Sequence, residues 1–266
     1  MRIKGLIIPV QALGIPALAI LALAGCAAGP QVMPQGSAAE TEQVAEAAFS
    51  TGSAEEAARL FERAAERDPN SSNAYLGLGR SYLALGQYSR AEFALTRAND
   101  LAPRDADILN ELGNLHLRSL HPARALPFYD AALRRDRRHL SALTGKGVAL
   151  DFLSEHPRAQ QVYRDGLHHY PTNFVLLNNY ALSQALSGQI NAGLKIMEEL
   201  LRDPEQGDDV RGNMALAYML AGRDNDARAI LTGVMSGAEI DERLRHYAGI
   251  AAARKAGQPV GYMVFN

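Results

Sequence analysis

The sequence predicts an all-α fold made of helical hairpins that repeat along the chain. Ala, Leu and Arg, which favour helices, are abundant, whereas Trp is absent and aromatic residues make up only 6% of the 266 residues. Apolar and small residues recur with a 34-residue period over residues 38–241, without insertion or deletion. Such a period is typical of repeat proteins, in which each unit buries its apolar face against its neighbours.

Composition restricts the classes of function. The chain is 47% hydrophobic and 21% charged, which are ordinary values for a globular protein. Its formal net charge of −2 is too small to indicate nucleic acid as a partner. The one cysteine, Cys26, excludes an internal disulfide.

The first 25 residues have the layout of a secretory signal peptide. Arg2 and Lys4 form a short positive segment, and residues 5–25 are uncharged and rich in Leu, Ile and Ala. About 20 apolar residues suffice to span a bilayer, so an uncleaved membrane anchor is the alternative. Pro9 and Pro16 interrupt the run and small residues crowd its end, which favours the signal peptide.

The run closes on Leu23-Ala24-Gly25-Cys26, which resembles the lipobox of bacterial lipoproteins. The resemblance implies that a diacylglyceryl group is attached to the Cys26 sulfur and that residues 1–25 are removed. Residues 26–37 would then be the lipidated cysteine and a flexible tether rich in Gly, Pro and polar residues. An Asp after the cysteine tends to retain such lipoproteins at the inner membrane, so Ala27 implies the periplasmic face of the outer membrane. No cofactor is expected apart from this covalent lipid.

Six units begin near residues 38, 72, 106, 140, 174 and 208. Each resembles a tetratricopeptide repeat, with small residues where the two helices approach closely and large residues that fill the space between adjacent hairpins. The small position holds Gly79, Gly113 and Gly147, and the large position holds Phe61, Leu95, Tyr129, Tyr163, Met197 and Leu231. The resemblance implies a solenoid, a right-handed superhelix of helical hairpins. Four glycines fall where a first helix should end in a left-handed conformation: Gly52, Gly86, Gly188 and Gly222.

Two departures affect the third repeat and the end of the chain. Pro127 lies inside the second helix of repeat three, where we expect a kink or a weakened turn. Residues 242–266 are predicted to be a capping helix and a tail, the helix covering residues 241–256. Its apolar face should contain Leu244, Tyr247, Ala248 and Ala251. The tail should pack on the last hairpin or fray, and partner binding is the alternative.

The sequence contains no constellation that indicates catalysis or metal binding. Its histidines do not form a His-Glu-x-x-His pair, and Gly145-Lys146-Gly147 lacks the spacing of a phosphate-binding loop. We therefore predict no enzyme activity, no catalytic residue, no metal site and no small-molecule substrate. The basic run at residues 134–139 is interpreted as a solvated turn, with a docking patch for anionic lipid or an acidic partner as the alternative.

The first helices of such repeats line a concave groove, and here they carry many side-chain amides. An Asn side chain both donates and accepts, so it can pair with the backbone of an extended peptide of any sequence. Neighbouring apolar residues could accept the side chains of that peptide. The alternative is that these amides only solvate an empty surface. The predicted groove residues are Asn73, Asn110, Asn114, Phe152, Asn178, Asn179, Leu182, Leu186, Asn213, Leu216 and Met219.

The last two repeats resemble the TadD family, which are tetratricopeptide lipoproteins of the tight-adherence (Flp pilus) system. The similarity is clearest over residues 174–235, in Asn178-Asn179-Tyr180-Ala181-Leu182-Ser183 and in Val210-Arg211-Gly212-Asn213-Met214-Ala215. It implies a pilotin-like scaffold whose partners are the secretin or other pilus-assembly components. A type IV pilus pilotin and a periplasmic adaptor for peptidoglycan hydrolases are the alternatives.

Overall fold

The computed structural model describes residues 37–203 and 207–265, except for the side chains of residues 208 and 209. The predicted signal peptide, Cys26 and nearly all of the tether lie outside the described residues. The described part is all-α, which confirms the predicted fold class, and its nearest approach to a strand is an isolated bridge between Thr232 and Met235.

Fourteen α-helices are formed by the described residues. They are α1 Ala38–Ser50, α2 Ala54–Arg67, α3 Ser72–Ala84, α4 Tyr88–Leu101, α5 Ala106–Arg118, α6 Pro122–Arg135, α7 Leu140–Phe152, α8 His156–His169, α9 Phe174–Ser187, α10 Ile190–Leu200, α11 Gly207–Leu220, α12 Asp224–Leu231, α13 Gly237–Lys255 and α14 Gly261–Val264. The first twelve pair as hairpins, α1 with α2 through α11 with α12.

The chain folds as two compact units, whose described parts are residues 37–103 and 104–265. The first unit contains α1–α4, and α2 packs against α3. In the second unit the first helices α5, α7, α9 and α11 each contact the next, and α6, α8 and α10 each pack against the hairpin that follows. Helices α13 and α14 belong to this second unit.

Small-to-large contacts hold each hairpin together and join it to the next. The Tyr129 ring of α6 is fully buried, and a Cβ placed on Gly113 of α5 would lie 2.6 Å from it. A Cβ on Gly145 of α7 would lie 2.5 Å from the same ring. Real Cβ atoms do not approach so closely, so only glycine lets helices on both sides reach the ring. This contact is the physical reason for the small position in each repeat.

Side-chain caps start the first helix of each of the first five hairpins. The N-cap residues recur every 34 residues, and each accepts a hydrogen bond from a backbone N–H of the first turn. They are Ser37, Ser71, Asp105, His139 and Asn173. The second helices have no such side-chain cap. The short turn after each first helix sets where the second helix begins.

The structure corrects one expectation about helix course, and a second one stays a prediction. Pro127 lies within α6, which is one helix from Pro122 to Arg135, and the expected kink or weakened turn there stays a prediction. Helix α13 begins at Gly237 rather than Asp241, because Ser236 and Glu239 form a reciprocal capping box.

Candidate peptide-binding groove

The first helices α7, α9 and α11 carry the predicted apolar groove residues, which are divided among three neighbouring apolar clusters. We call the side of α7, α9 and α11 that carries them the first-helix face. These residues are buried, with 2–8% of their surface exposed: Phe152, Leu182, Leu186, Leu216 and Met219. Four of them are aliphatic or thioether side chains, so the face is apolar and adaptable.

The chain's own C-terminal residues cover Phe152, the end residue of α7. The Tyr262 ring meets the Phe152 ring edge-on, with 4.5 Å between ring centroids. The Phe265 ring stacks on the Phe152 ring, with 5.8 Å between ring centroids. Val260 is 2% exposed and packs in the cluster that includes Leu182 and Leu186. The tail therefore contacts the fourth and fifth repeats, whereas the sequence predicted packing on the last hairpin.

Helix α13 lies against α11 and anchors the tail. Ile250 is fully buried in the same cluster as Leu216, and the Arg254 guanidinium donates a hydrogen bond to the Leu186 carbonyl oxygen at 2.8 Å. That carbonyl is among the last of α9, so the cation also interacts well with the helix dipole. Ala248, predicted on the packed face, is exposed. The buried side of α13 is instead marked by Ile240 and Ile250.

Three predicted amides lie next to this apolar surface. Asn178, Asn179 and Asn213 are each partly exposed, so their polar atoms are within reach of a ligand. The Asn213 amide donates to the Asn178 oxygen at 3.1 Å, which joins α11 to α9. The pair shows that side-chain amides of adjacent repeats are aligned along the face.

The other predicted amides have different surroundings. Asn110 is 2% exposed and Asn114 is 7% exposed. Asn114 accepts from the Tyr129 hydroxyl at 2.8 Å and donates to the Glu111 carboxylate at 3.0 Å. Asn114 is thus paired within its repeat, whereas Asn110 donates to Glu111 at 3.3 Å and its buried Oδ1 has no hydrogen-bond partner among the described residues. Both side chains are too buried to contact a peptide on the surface. Asn73 belongs to the unit 37–103 and is exposed on α3.

A buried polar cluster next to the groove was missed from the sequence. The Asp151 carboxylate is 1% exposed and accepts from His156 Nδ1 at 2.8 Å, from Ser183 Oγ at 2.6 Å and from the Tyr163 hydroxyl at 3.1 Å. Burial raises the pKa of Asp151, and the hydrogen bonds from His156, Ser183 and Tyr163 oppose that rise. An aspartate inside the apolar run of residues 148–152 was the available signal.

The geometry of this cluster suits cohesion rather than nucleophilic chemistry. In a nucleophilic triad the hydroxyl donates to the imidazole, which acts as the base. Here the Ser183 hydroxyl donates directly to Asp151. The carboxylate therefore joins α7 to α8 and α9. Within residues 37–203 and 207–265, His, Cys, Asp and Glu side chains form no group placed to bind a metal ion.

None of the described helices combines the length and apolar character needed to cross a bilayer. Comparison with known families matches two stretches of the chain to tetratricopeptide repeat models, residues 48–115 and residues 110–174. The two matched stretches span residues 48–174, a little under half of the chain, and the hairpins continue beyond them with the same 34-residue period. The fold is therefore an array of tetratricopeptide-type helical hairpins.

Proteins similar to this chain include a complex subunit, a pilus biogenesis factor and a protein with a peptide-binding site. Anaphase-promoting complex subunit 3 of Schizosaccharomyces pombe is 30% identical over 99 residues, which is 37% of this chain and 15% of that protein. This chain thus matches a small part of that relative. The type IV pilus biogenesis factor PilW is similar in structure, with a TM-score of 0.66, 22% identity and coverage of 78% of this chain and 96% of that chain. YrrB, a tetratricopeptide repeat protein described as having an unusual peptide-binding site, is similar with a TM-score of 0.51 and 18% identity. The match covers 65% of this chain and 89% of that chain.

Proposed function

We propose that this protein is a lipid-anchored scaffold that holds assembly proteins of a bacterial tight-adherence pilus at the outer membrane. Its action is protein–protein binding, which is the general role of tetratricopeptide repeat proteins. The observation that carries the proposal is the first-helix face, where partly exposed amides lie beside apolar residues that α13 and residues 258–265 of the same chain cover. Such a face accepts a peptide backbone and its apolar side chains together.

The anchor and the machine are supported by sequence resemblance. The lipobox ending at Cys26 supports lipid attachment, and Ala27 supports outer-membrane placement. The TadD-like residues over 174–235 support the Flp pilus as the machine and its secretin as the partner. The likeness to PilW, at 22% identity, supports the fold and agrees with a place in pilus biogenesis.

Two other functions follow from the same features. The likeness to PilW favours the role of a type IV pilus pilotin-like lipoprotein. A periplasmic adaptor for peptidoglycan hydrolases is also compatible with an anchored repeat array. The enzyme class is disfavoured because the sequence offers no catalytic constellation. Secretin, prepilin peptidase and Flp pilin genes beside this gene would favour the tight-adherence system.

Site-specific crosslinking tests the proposal directly. The photoreactive amino acid p-benzoylphenylalanine replaces Asn179 on the first-helix face, and in a control it replaces Asn191, an exposed amide on α10. We expect the Asn179 variant to crosslink to the tight-adherence secretin in intact cells and the Asn191 variant not to do so. Recovery of murein hydrolases alone would reject the pilus function. Crosslinks to a type IV pilus secretin would favour the pilotin alternative.

Substitution of the amides gives a second measure of the same site. Asn178→Ala combined with Asn179→Ala should weaken secretin capture, because the peptide loses its backbone partners. Helicity by circular dichroism should be unchanged, since both side chains are partly exposed. Asn191→Ala is the matched control. Secretin capture that survives the double substitution would contradict the groove as the binding site.

A further inference from the structure

Residues 258–265, which we call the tail, fold back from α13 onto the first-helix face. The tail contains the single-turn helix α14, which packs against α7. Met263, Val264 and Phe265 contact the cluster that contains Leu182, Leu186 and Leu216. The tail therefore lies on the surface proposed to hold a partner.

The fit depends on a glycine. Gly261 is buried, and a Cβ at this position would overlap the carbonyl oxygen of Phe152. The overlap is with backbone atoms, which cannot rotate away as a flexible side chain can. No other residue type can therefore bring the tail backbone this close to the end of α7.

Aromatic residues one and four positions after the glycine complete the fit. Tyr262 meets the Phe152 ring edge-on at 85°, and Phe265 stacks on it at 26° between ring planes. Both are preferred geometries for aromatic pairs. One helical turn brings the two rings to the same side of the segment, because residues three apart in a helix are neighbours.

Val260 and Gly261 are the two buried residues of the tail, and its other residues are partly or fully exposed. Gln258, Pro259 and Tyr262 are exposed, and the residues from Met263 to Phe265 are half-buried. His246 reaches the Met263 carbonyl oxygen at 3.1 Å from the exposed side of α13. A four-residue helix is not stable by itself, so the tail depends on these few contacts. Segments with few buried contacts open with low free energy while the rest of a protein stays folded.

We propose that the tail is an internal ligand of the first-helix face, and that the partner segment which replaces it has the same chemistry. That segment is uncharged and carries a glycine followed by aromatic residues one and four positions later. Residues 257–266 carry no charged side chain, in agreement with the apolar surface that they cover. This inference rests on the proposed function, since it names the ligand chemistry and the regulation of the same site.

Competition between tail and partner sets the affinity of the site. A partner segment binds only the open fraction of molecules, so its apparent dissociation constant equals the intrinsic constant divided by that open fraction. A protein anchored at the membrane would then keep its apolar face covered until a partner of higher affinity arrives.

A peptide-binding experiment on the full chain tests this inference. The probe is a fluorescent synthetic peptide with the sequence of residues 257–265. Gly261→Ala should release the tail, and Gly237→Ala is the control, since a Cβ there has no neighbour within 4 Å. We expect the G261A protein to bind the peptide about tenfold more tightly than the wild type or G237A. Faster amide hydrogen exchange at residues 260–265 in G261A should accompany the tighter binding.

The peptide itself provides the test of chemistry. A peptide in which Ala replaces the glycine should not bind the G261A protein. A peptide in which Ala replaces the two aromatic residues should bind the G261A protein at least about tenfold more weakly than the original peptide, because buried aromatic residues often anchor an interface. Equal binding by wild type and G261A, or no binding by either, would overturn the inference. In that case secretin crosslinking at Asn179 still judges the proposed function separately, because it does not involve the tail.

Discussion

Asp151 is the residue on which three helices of the second unit depend. Its carboxylate accepts hydrogen bonds from His156 of α8, Ser183 of α9 and the fully buried Tyr163 of α8. Buried polar groups are tolerated only when they are paired, so the three donors and the carboxylate require each other. The cluster selects one arrangement of repeats four and five, which carry much of the first-helix face.

Substitution of Asp151 by Ala should destabilise the second unit by about 3 kcal/mol, because three buried donors lose their acceptor. Urea denaturation followed by circular dichroism measures the change. Asp165→Ala is the matched control, since Asp165 is exposed on α8 and its loss should cost less than about 0.5 kcal/mol. Equal effects of the two substitutions would show that the cluster does not contribute to stability.

The effect of Asp151→Ala should also depend on pH. Burial raises the pKa of Asp151 above its ordinary value of 3.8, so at a pH between the ordinary and the raised pKa the folded state binds a proton that the unfolded state has lost. The stability that this group contributes is full below 3.8 and falls as the pH rises through the raised pKa. The destabilisation caused by D151A should therefore be larger at about pH 4 than at about pH 7. An effect that grows with pH would contradict this.

At the scale of elements, the turn between the two helices of a repeat has one backbone conformation throughout. Four repeats place glycine there with positive φ, at Gly52, Gly86, Gly188 and Gly222. Repeats three and four place Leu120 and Ser154 at the equivalent positions, each with φ of 61°. A residue with a side chain is strained in this left-handed region, and the hairpin geometry imposes it all the same.

Ser154→Gly should therefore stabilise the protein by about 1 kcal/mol, since it removes left-handed strain. The Ser154 hydroxyl is also buried without a hydrogen-bond partner, so its loss removes a second cost. The reciprocal control is Gly222→Ser, at a turn where a Cβ would meet no atom within 4 Å. We expect the midpoint of thermal unfolding to rise for S154G and to fall for G222S. A fall for both would refute the strain argument.

At the scale of the whole molecule, the proposed function requires attachment to the membrane as well as the proposed groove. The resemblance of Leu23-Ala24-Gly25-Cys26 to a lipobox implies two acyl chains on Cys26. Each buried methylene contributes about 0.8 kcal/mol, and stable anchoring needs more than one chain. A protein without the lipid would then fold and bind its partner but would not hold that partner at the membrane.

Cys26→Ser should release the protein from the outer-membrane fraction of a Gram-negative host while leaving its helicity unchanged. Fractionation with immunodetection measures the distribution, and mass spectrometry of the mature N-terminus detects the lipid. Ala27→Asp is the control that keeps the lipid, and it should move the protein toward the inner membrane. Membrane retention of the C26S variant would indicate an uncleaved anchor instead.

The sequence by itself determined the features that repeat at short range. The 34-residue period predicted the hairpins, and the recurring small and large positions predicted where helices approach closely. That the Tyr129 ring lies against Gly113 was learned from the structure. Glycines such as Gly86 and Gly222 predicted the left-handed turns. These features follow from local preferences and nearest-neighbour contacts, which recur in phase and therefore leave a pattern in the sequence.

Only the tertiary structure decided what lies against the first-helix face. The sequence suggested that Asn114 lined the groove, but the Tyr129 hydroxyl and Glu111 bring it inside. It did not indicate that Ser183 would reach Asp151, or that Gly261 would lie on the backbone of Phe152. The residues joined by each of these contacts are not separated by the 34-residue period. Their occurrence depends on the three-dimensional course of the chain, and so they leave no periodic signal in the sequence.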